Sequence, residues 1–127
     1  MTTATQTTVL LVDDDAHFRE TLADAMSLKD VRVESAGSVA DARRALAERL
    51  PSVILLDVQL PDVSGVELCR QLKRDPRTKG IPVVMLSAKY TEPADRAEGL
   101  LTGADAYLSK PINIEALQDE IRYLVDN

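Results

Sequence analysis

The sequence predicts an α/β fold with a doubly wound parallel sheet of five strands and helices on both faces. Three observations predict it. Short apolar runs rich in β-branched residues alternate with stretches of helical spacing along the chain, which implies βαβ units and a parallel sheet. Two of the runs, Val9–Val12 and Val53–Leu56, are apolar without alternation, as in central strands buried on both sides. At 127 residues the chain is long enough for one core and too short for two. Five strands and five helices in this length fit the flavodoxin-like order 2-1-3-4-5, a (βα)5 three-layer sandwich.

Residues 1–7 are Thr-rich and read as a flexible N-terminal tail, leaving 8–127 as the domain. Strand 1 is Val9–Val12, followed by a helix marked by Phe18, Leu22, Ala25 and Met26. Strand 2 is Val31–Glu34, and its helix carries Val39, Ala42, Ala45, Leu46 and Arg49. That helix opens on Ser38-Val39-Ala40-Asp41, which has the capping-box form. Strand 3 is Val53–Val58; the helix after it opens on Ser64-Gly65-Val66-Glu67 and carries Val66, Leu68, Cys69 and Leu72. Strand 4 is Val83–Leu86, with the faintest helical pattern behind it at Ala94–Thr102. Strand 5 is Ala106–Leu108, and Asn113 caps a last helix with Ile114, Leu117, Ile121, Leu124 and Val125 on its apolar face. Pro51, Pro76 and Pro82 fall where loops are expected.

Composition narrows the function classes. Apolar residues make up 45% and aromatics only 3%, with no Trp, so Val, Leu, Ile and Ala must build the core. A formal charge of −6 argues against direct nucleic-acid binding, which usually needs a basic face. No apolar run approaches the roughly 20 residues of a membrane helix, and the N-terminus lacks the order of a signal peptide. The expected location is cytoplasmic, with no membrane partner. Cys69 is the single cysteine, which excludes an internal disulfide and a Cys-based zinc site; it should pack as a small apolar residue.

In an open α/β sheet, ligands sit outside the carboxyl ends of the strands where strand order reverses, here between strands 1 and 3. Strand 1 ends in Asp13-Asp14-Asp15, strand 3 in Asp57, strand 4 in Ser87 and strand 5 at Lys110. Singly, each has an ordinary structural use: helix cap, turn former or surface charge. Four polar endings on one edge point to a site. Clustered carboxylates repel and invite a cation. An all-oxygen set favours a hard ion such as Mg²⁺, with Mn²⁺ as a substitute. Such an ion lowers repulsion between a carboxylate nucleophile and an incoming phosphoryl group, while Lys110 and Ser87 supply a positive charge and a hydroxyl. The pocket suits aspartyl phosphate formation. It suits a flavin-phosphate site poorly, because the loop after strand 1 is acidic, and no GxxxxGK[ST] or GxGxxG motif is present.

The stretches VLLVDDD, VILLDVQLPDVSGVEL, PVVMLSA and GADAYLSKP, in this order, resemble a response-regulator receiver domain of the chemotaxis-regulator type, from Val9 to Val125. The resemblance implies a bacterial phosphorelay module with Asp57 as phosphoacceptor. Asp14, ahead of Asp13, would hold Mg²⁺ with Asp57 and the backbone carbonyl of Gln59, and Asp15 would cap the first helix. Ser87 takes the place of the switch hydroxyl and Tyr107 that of the aromatic switch residue, although an aromatic on an edge strand can also simply pack over a helix. Lys110 and Pro111 match a turn with a cis peptide bond. Lys89 and Gln59 flank the approach of hydrolytic water.

Partners follow from the same resemblance. A sensor histidine kinase or histidine phosphotransfer protein would supply the phosphohistidine, because the lone His17 reads as an exposed residue of the first helical turn and not as a base. Phe18, Leu22 and Ile112, with Thr21, would form an apolar docking patch for that partner, or part of the core. A downstream target, an output domain or a second copy on phosphorylation would read the face made by the fourth helix, strand 5 and the fifth helix. That last helix carries Glu115, Asp119, Glu120 and Asp126 against Arg122 alone, a poor match to DNA-binding regulators that dimerise there. Such a domain would catalyse only its own phosphorylation and dephosphorylation. Two other classes compete. A small Mg²⁺-dependent phosphohydrolase of the haloacid-dehalogenase kind also uses a strand-end Asp, but the DxDx[TV] motif and a cap domain are missing. A phosphate-independent interaction domain would not need Asp14, Asp57, Ser87 and Lys110 together.

Overall fold

Thr7–Val12 forms strand β1, followed by helix α1 (Ala16–Ser27), β2 (Val31–Ala36), α2 (Val39–Glu48), β3 (Val53–Asp57), α3 (Gly65–Arg74), β4 (Val83–Ser87), β5 (Ala106–Ser109) and α4 (Ile114–Asp126). The structure is a computed structural model that describes residues 7–87 and 103–126. The helix expected around 94–102, and Lys89, lie outside those residues, so α4 is the last helix of the sequence pattern. The strands form one sheet in the order β2-β1-β3-β4-β5, and every neighbouring pair is parallel. This is the expected doubly wound topology.

Period-2 alternation in the central strands sends successive side chains to opposite faces, and both faces are covered. Leu10, Val12, Ile54, Leu56, Val83 and Met85 join residues of α2 and α3 in one cluster, with Cys69 and Tyr107 among them. Val9, Leu11, Val53, Leu55, Val84 and Leu86 join Leu22 and Met26 of α1 and Leu117 and Ile121 of α4 in the other. Each fully buried aliphatic side chain contributes about 1.5–3 kcal/mol. Because β3 and β4 are buried at every position, they form a rigid floor that ends at Asp57 and Ser87.

Helix starts follow the expected residues, with a change of detail. Ser38 Oγ accepts the Asp41 amide at 3.1 Å, but the Asp41 carboxylate turns to Arg44 instead of closing the box. Ser64 accepts the Val66 amide, while Glu67 pairs with Arg70 at 2.6 Å. In both cases a cation one turn along outcompetes the cap backbone for the carboxylate. Asp15 caps α1 by accepting the Phe18 amide, and Asn113 accepts from Ala116 at 2.9 Å. Several boundaries move by one or two residues, the carboxyl ends of β2, β3, β4 and β5 among them. Thr7 belongs to β1, paired with Val31, and Arg49 lies beyond α2 in an extended conformation.

Candidate functional site

The carboxyl ends of β1, β3, β4 and β5 lie side by side because the parallel registers bring them level. Val12 pairs with Leu56, Asp57 with Leu86, and Ser87 with Ser109. The Asp13 amide donates to the Ala36 carbonyl at 3.0 Å, extending the β1–β2 ladder by one residue. Asp13 is thereby drawn fully into the protein, whereas Asp14 stays exposed. Asp13, Asp14 and Asp57 each offer a carboxylate oxygen, all within 4.8 Å of one another. Opposite ligands of an octahedral Mg²⁺ stand about 4.2 Å apart, so this all-oxygen set fits a hard divalent cation.

Lys110 reaches this cluster from the end of β5, where its amide donates to the Ser87 carbonyl at 2.9 Å. The Lys110–Pro111 peptide bond is cis, as the resemblance implies. Its ammonium lies 2.7 Å from Asp13 Oδ2 and 4.0 Å from Asp57 Oδ2. The nearer partner is therefore Asp13 and not the expected phosphoacceptor. Asp57 Oδ1 also accepts a long hydrogen bond from the Gln59 amide, at 3.3 Å. Burial, then the nearby negative charge of Asp13, pushes the Asp57 carboxyl up to about 6, against a smaller lowering by Lys110. A carboxylate so placed gains from any added positive charge.

Other expected residues divide. Ser87 is buried beside Asp57 at the end of β4, and Tyr107 is buried one strand away in the sheet. His17 is exposed in the first turn of α1. Phe18 and Ile112 are half-buried and Thr21 exposed, but Leu22 is only 2% exposed and packs in the core between sheet, α1 and α4. Leu22 is therefore withdrawn from the docking patch, because it lies one turn on from Phe18 along the face of α1 that packs on the sheet.

Three residues that shape the site were not anticipated. Arg19 donates to the Asp13 carbonyl at 2.7 Å and so pins the acidic turn to α1. Asp62 accepts the amides of Val39 and Ala40, tying the loop after Asp57 to α2. Gly65 passes so close to β3 that a Cβ there would stand 1.9 Å from the Asp57 carbonyl oxygen. Its amide donates to the Val58 carbonyl at 2.8 Å. A glycine in the first turn of a helix was the one available signal, since it marks close backbone approach. The other two contacts join residues too distant in sequence, or too generic in type, to announce themselves.

Comparison with known proteins agrees with this geometry. The family model described as the response regulator receiver domain matches residues 9–122. The phosphate regulon transcriptional regulatory protein PhoB of Pseudomonas aeruginosa is 42% identical over 84% of this chain and 46% of its own length. The transcriptional regulatory protein GltR of the same organism is 43% identical over 92% of this chain and 48% of its own. The chain thus spans about half the length of these curated relatives. Among solved structures, the chemotaxis response regulator CheY4 of Vibrio cholerae superposes with a TM-score of 0.86 at 28% identity, covering 94% of this chain and 99% of that one. The hydrolase and phosphate-independent readings find no such support, and the match over nearly the whole folded chain shows the family: this chain belongs to the response regulator receiver domains of two-component signalling.

Proposed function

We propose that the chain takes a phosphoryl group from a phosphohistidine onto Asp57, with Mg²⁺ held by Asp14, Asp13, Asp57 and the backbone carbonyl of Gln59. The observation that carries this reading is the convergence of Asp13, Asp14, Asp57 and Lys110 at the ends of three strands. When bound, the metal offsets the negative charge of the carboxylates and of the phosphoryl oxygens. A carboxylate oxygen of Asp57 forms the new O–P bond as the donor P–N bond breaks, and the leaving imidazole keeps the electron pair and gathers a proton. Lys110, 4.0 Å from Asp57 Oδ2, moves its ammonium from Asp13 to the arriving phosphoryl oxygens. Ser87 donates its hydroxyl to the same group, and Tyr107 turns in response, so that the face containing β5 and α4 changes shape.

The donor is a sensor histidine kinase or histidine phosphotransfer protein docking beside Phe18 and Ile112. The relatives named as transcriptional regulators suggest an output domain, a downstream target or a second copy as reader of the β5–α4 face. The charge of −6 leaves DNA contact to such a partner and not to this chain. Dephosphorylation is the chain's own reaction with water, tuned at Gln59 and Lys89, in a cytoplasmic setting. The test is incubation with Mg²⁺ and acetyl phosphate, followed by mass spectrometry of the base-labile label. Label on Asp57 that disappears in Asp57→Asn is the expected result; label on Asp13 with fast turnover, or none with no Mg²⁺ binding, overturns it.

A further inference from the structure

Among the described residues, the Lys110 ammonium has one strong ionic partner, Asp13 at 2.7 Å, and one distant one, Asp57 at 4.0 Å. Its third neighbour is uncharged. Nζ lies 4.3 Å from the centroid of the Phe18 ring, well within the ~6 Å at which the negative face of an aromatic ring attracts a cation. Phe18 is itself anchored. Its amide is held by Asp15 Oδ1 at 3.2 Å, its ring packs against the apolar cluster under α1 and α4, and the next residue, Arg19, bonds the Asp13 carbonyl. The ring is therefore a fixed surface and not a loose side chain that happens to lie nearby.

That surface solves a conflict within the site. Asp13 is wanted both by Lys110 and by any divalent cation that enters among the carboxylates. If Asp13 were the sole tether, a cation that took over its charge would release the ammonium on its four-carbon stem toward water. An aromatic face does not ligate a hard metal ion, carries no proton to lose and forms no directional hydrogen bond that must break. It can hold the ammonium near Asp57 while Asp13 changes partner.

We propose that Phe18 is a positioning residue for Asp57 phosphorylation, stationing the Lys110 ammonium on its ring face between Asp13 and Asp57. This rests on the reading of Asp57 as phosphoacceptor. It is distinct from any docking role of Phe18, so the test uses acetyl phosphate, which brings no docking protein.

The full 127-residue chain is compared with Phe18→Leu, Phe18→Tyr and Phe18→Trp at saturating Mg²⁺. Leu keeps the apolar volume and removes the ring face; its initial phosphorylation rate should fall about three- to five-fold, the size of a partly exposed cation–π contact. Mg²⁺ affinity should not change, Tm should fall by no more than the few degrees that such a contact accounts for, and Tyr and Trp should restore the rate. Should Leu lower Tm by more than that, Phe18→Met provides the same comparison with a more adaptable side chain. In the unphosphorylated protein, the Lys110 ε-CH₂ protons should resonate upfield because of the ring, and return toward ordinary lysine values in Phe18→Leu. The inference is overturned if wild type is labelled on Asp57 while the ring-free variants react equally fast, or if Tyr and Trp are as slow as Leu. A wild type that takes no label on Asp57 instead overturns the phosphoacceptor reading, with the lysine shifts still reporting whether the ring contact exists.

Discussion

Two lysine–aspartate pairs sit at opposite ends of the sheet, and they behave as different kinds of object. At the amino ends, Lys73 of α3 meets Asp105 at 2.9 Å; at the carboxyl ends, Lys110 meets Asp13 at 2.7 Å. The two lysine side chains are almost equally buried, at 17% and 19% exposed. Their surroundings differ. Lys73 also donates to the carbonyls of Ile81 and Lys79, matching all three donors of an ammonium, and Asp105 Oδ2 also accepts the Val83 amide. Gly103, at φ +100, leaves room for the Lys73 stem to lie across the chain there. That pair is saturated and clamps α3 to the entries of β4 and β5. Lys110 instead faces Asp13 and Asp57, with Asp14 close by, so that among the described residues one positive charge stands against three carboxylates. A saturated pair holds structure together, whereas an under-compensated one waits for a ligand.

The largest test removes each lysine in turn. Lys110→Met leaves Asp13 buried without its cation, a loss of about 3–5 kcal/mol, and phosphorylation by acetyl phosphate should slow by about 100-fold or more. If Mg²⁺ is held by the folded carboxylates as proposed, and not by the unfolded chain, its addition should recover much of that stability. Lys73→Met should cost less, about 1–3 kcal/mol, since Asp105 is partly exposed and can be hydrated. Mg²⁺ should recover none of it, and the phosphorylation rate should stay at the wild-type level. Urea melts with and without Mg²⁺ read both. Equal recovery of the two variants would dissolve the distinction.

A second test uses pH at the under-compensated end. The Asp57 carboxyl titrates at about 6 in the folded protein against an ordinary 3.8. Between those values the folded state keeps a proton that the unfolded chain has released, so stability falls as pH rises through the window. Above about pH 6 the full penalty persists, up to about 3 kcal/mol. In metal-free buffer Asp57→Asn should therefore be more stable than wild type at neutral pH, with the gap closing toward about pH 4 as the unfolded carboxyl protonates too. Adding Mg²⁺ should shrink the gap from the other side. Asp105→Asn is the contrast: it weakens the acceptor for Lys73 and the Val83 amide and should destabilise at neutral pH. Melting curves across pH that place Asp57→Asn below wild type at neutral pH would count against the charge excess.

The contrast between the two ends was only half legible in the sequence. Unbroken apolar runs at Val9–Val12 and Val53–Leu56 announce buried central strands, and with parallel order they deliver Asp13, Asp57, Ser87 and Lys110 to one edge. Asp15 as a helix cap is legible for the same local reason. What the sequence could not show is partner choice across space. Lys73 and Asp105 are 32 positions apart, and Lys110 and Asp13 are 97 apart. Nothing in residue type says that Lys110 prefers Asp13 to Asp57, or that Phe18 lies against its ammonium. Leu22 was ambiguous because a helical spacing shows which residues share a face, and not how far round that face the core extends.

The smallest test asks whether location or saturation separates the two ends, and Asp62 supplies it. Asp62 lies on the functional edge, three residues past Gln59, yet its exposed carboxylate already accepts the amides of Val39 and Ala40 at the start of α2 and that of Val63. The Val39 amide, foremost, holds this carboxyl below its ordinary 3.8. A depressed folded pKa means that its contribution is fully present above about 3.8 and fades as pH falls through the lower value. If location alone made a carboxylate functional, Asp62→Ala would impair phosphorylation much as changes to Asp13 or Asp57 do. If saturation decides, Asp62→Ala should lower Tm by a few degrees at neutral pH and by less in acid, as expected for a lost helix cap. Its labelling rate on Asp57 should remain close to that of wild type. A rate loss comparable to that of Lys110→Met would show that the α2 tether acts on the reacting groups themselves, and Asp62 would then have to be counted with the site and not with the clamp.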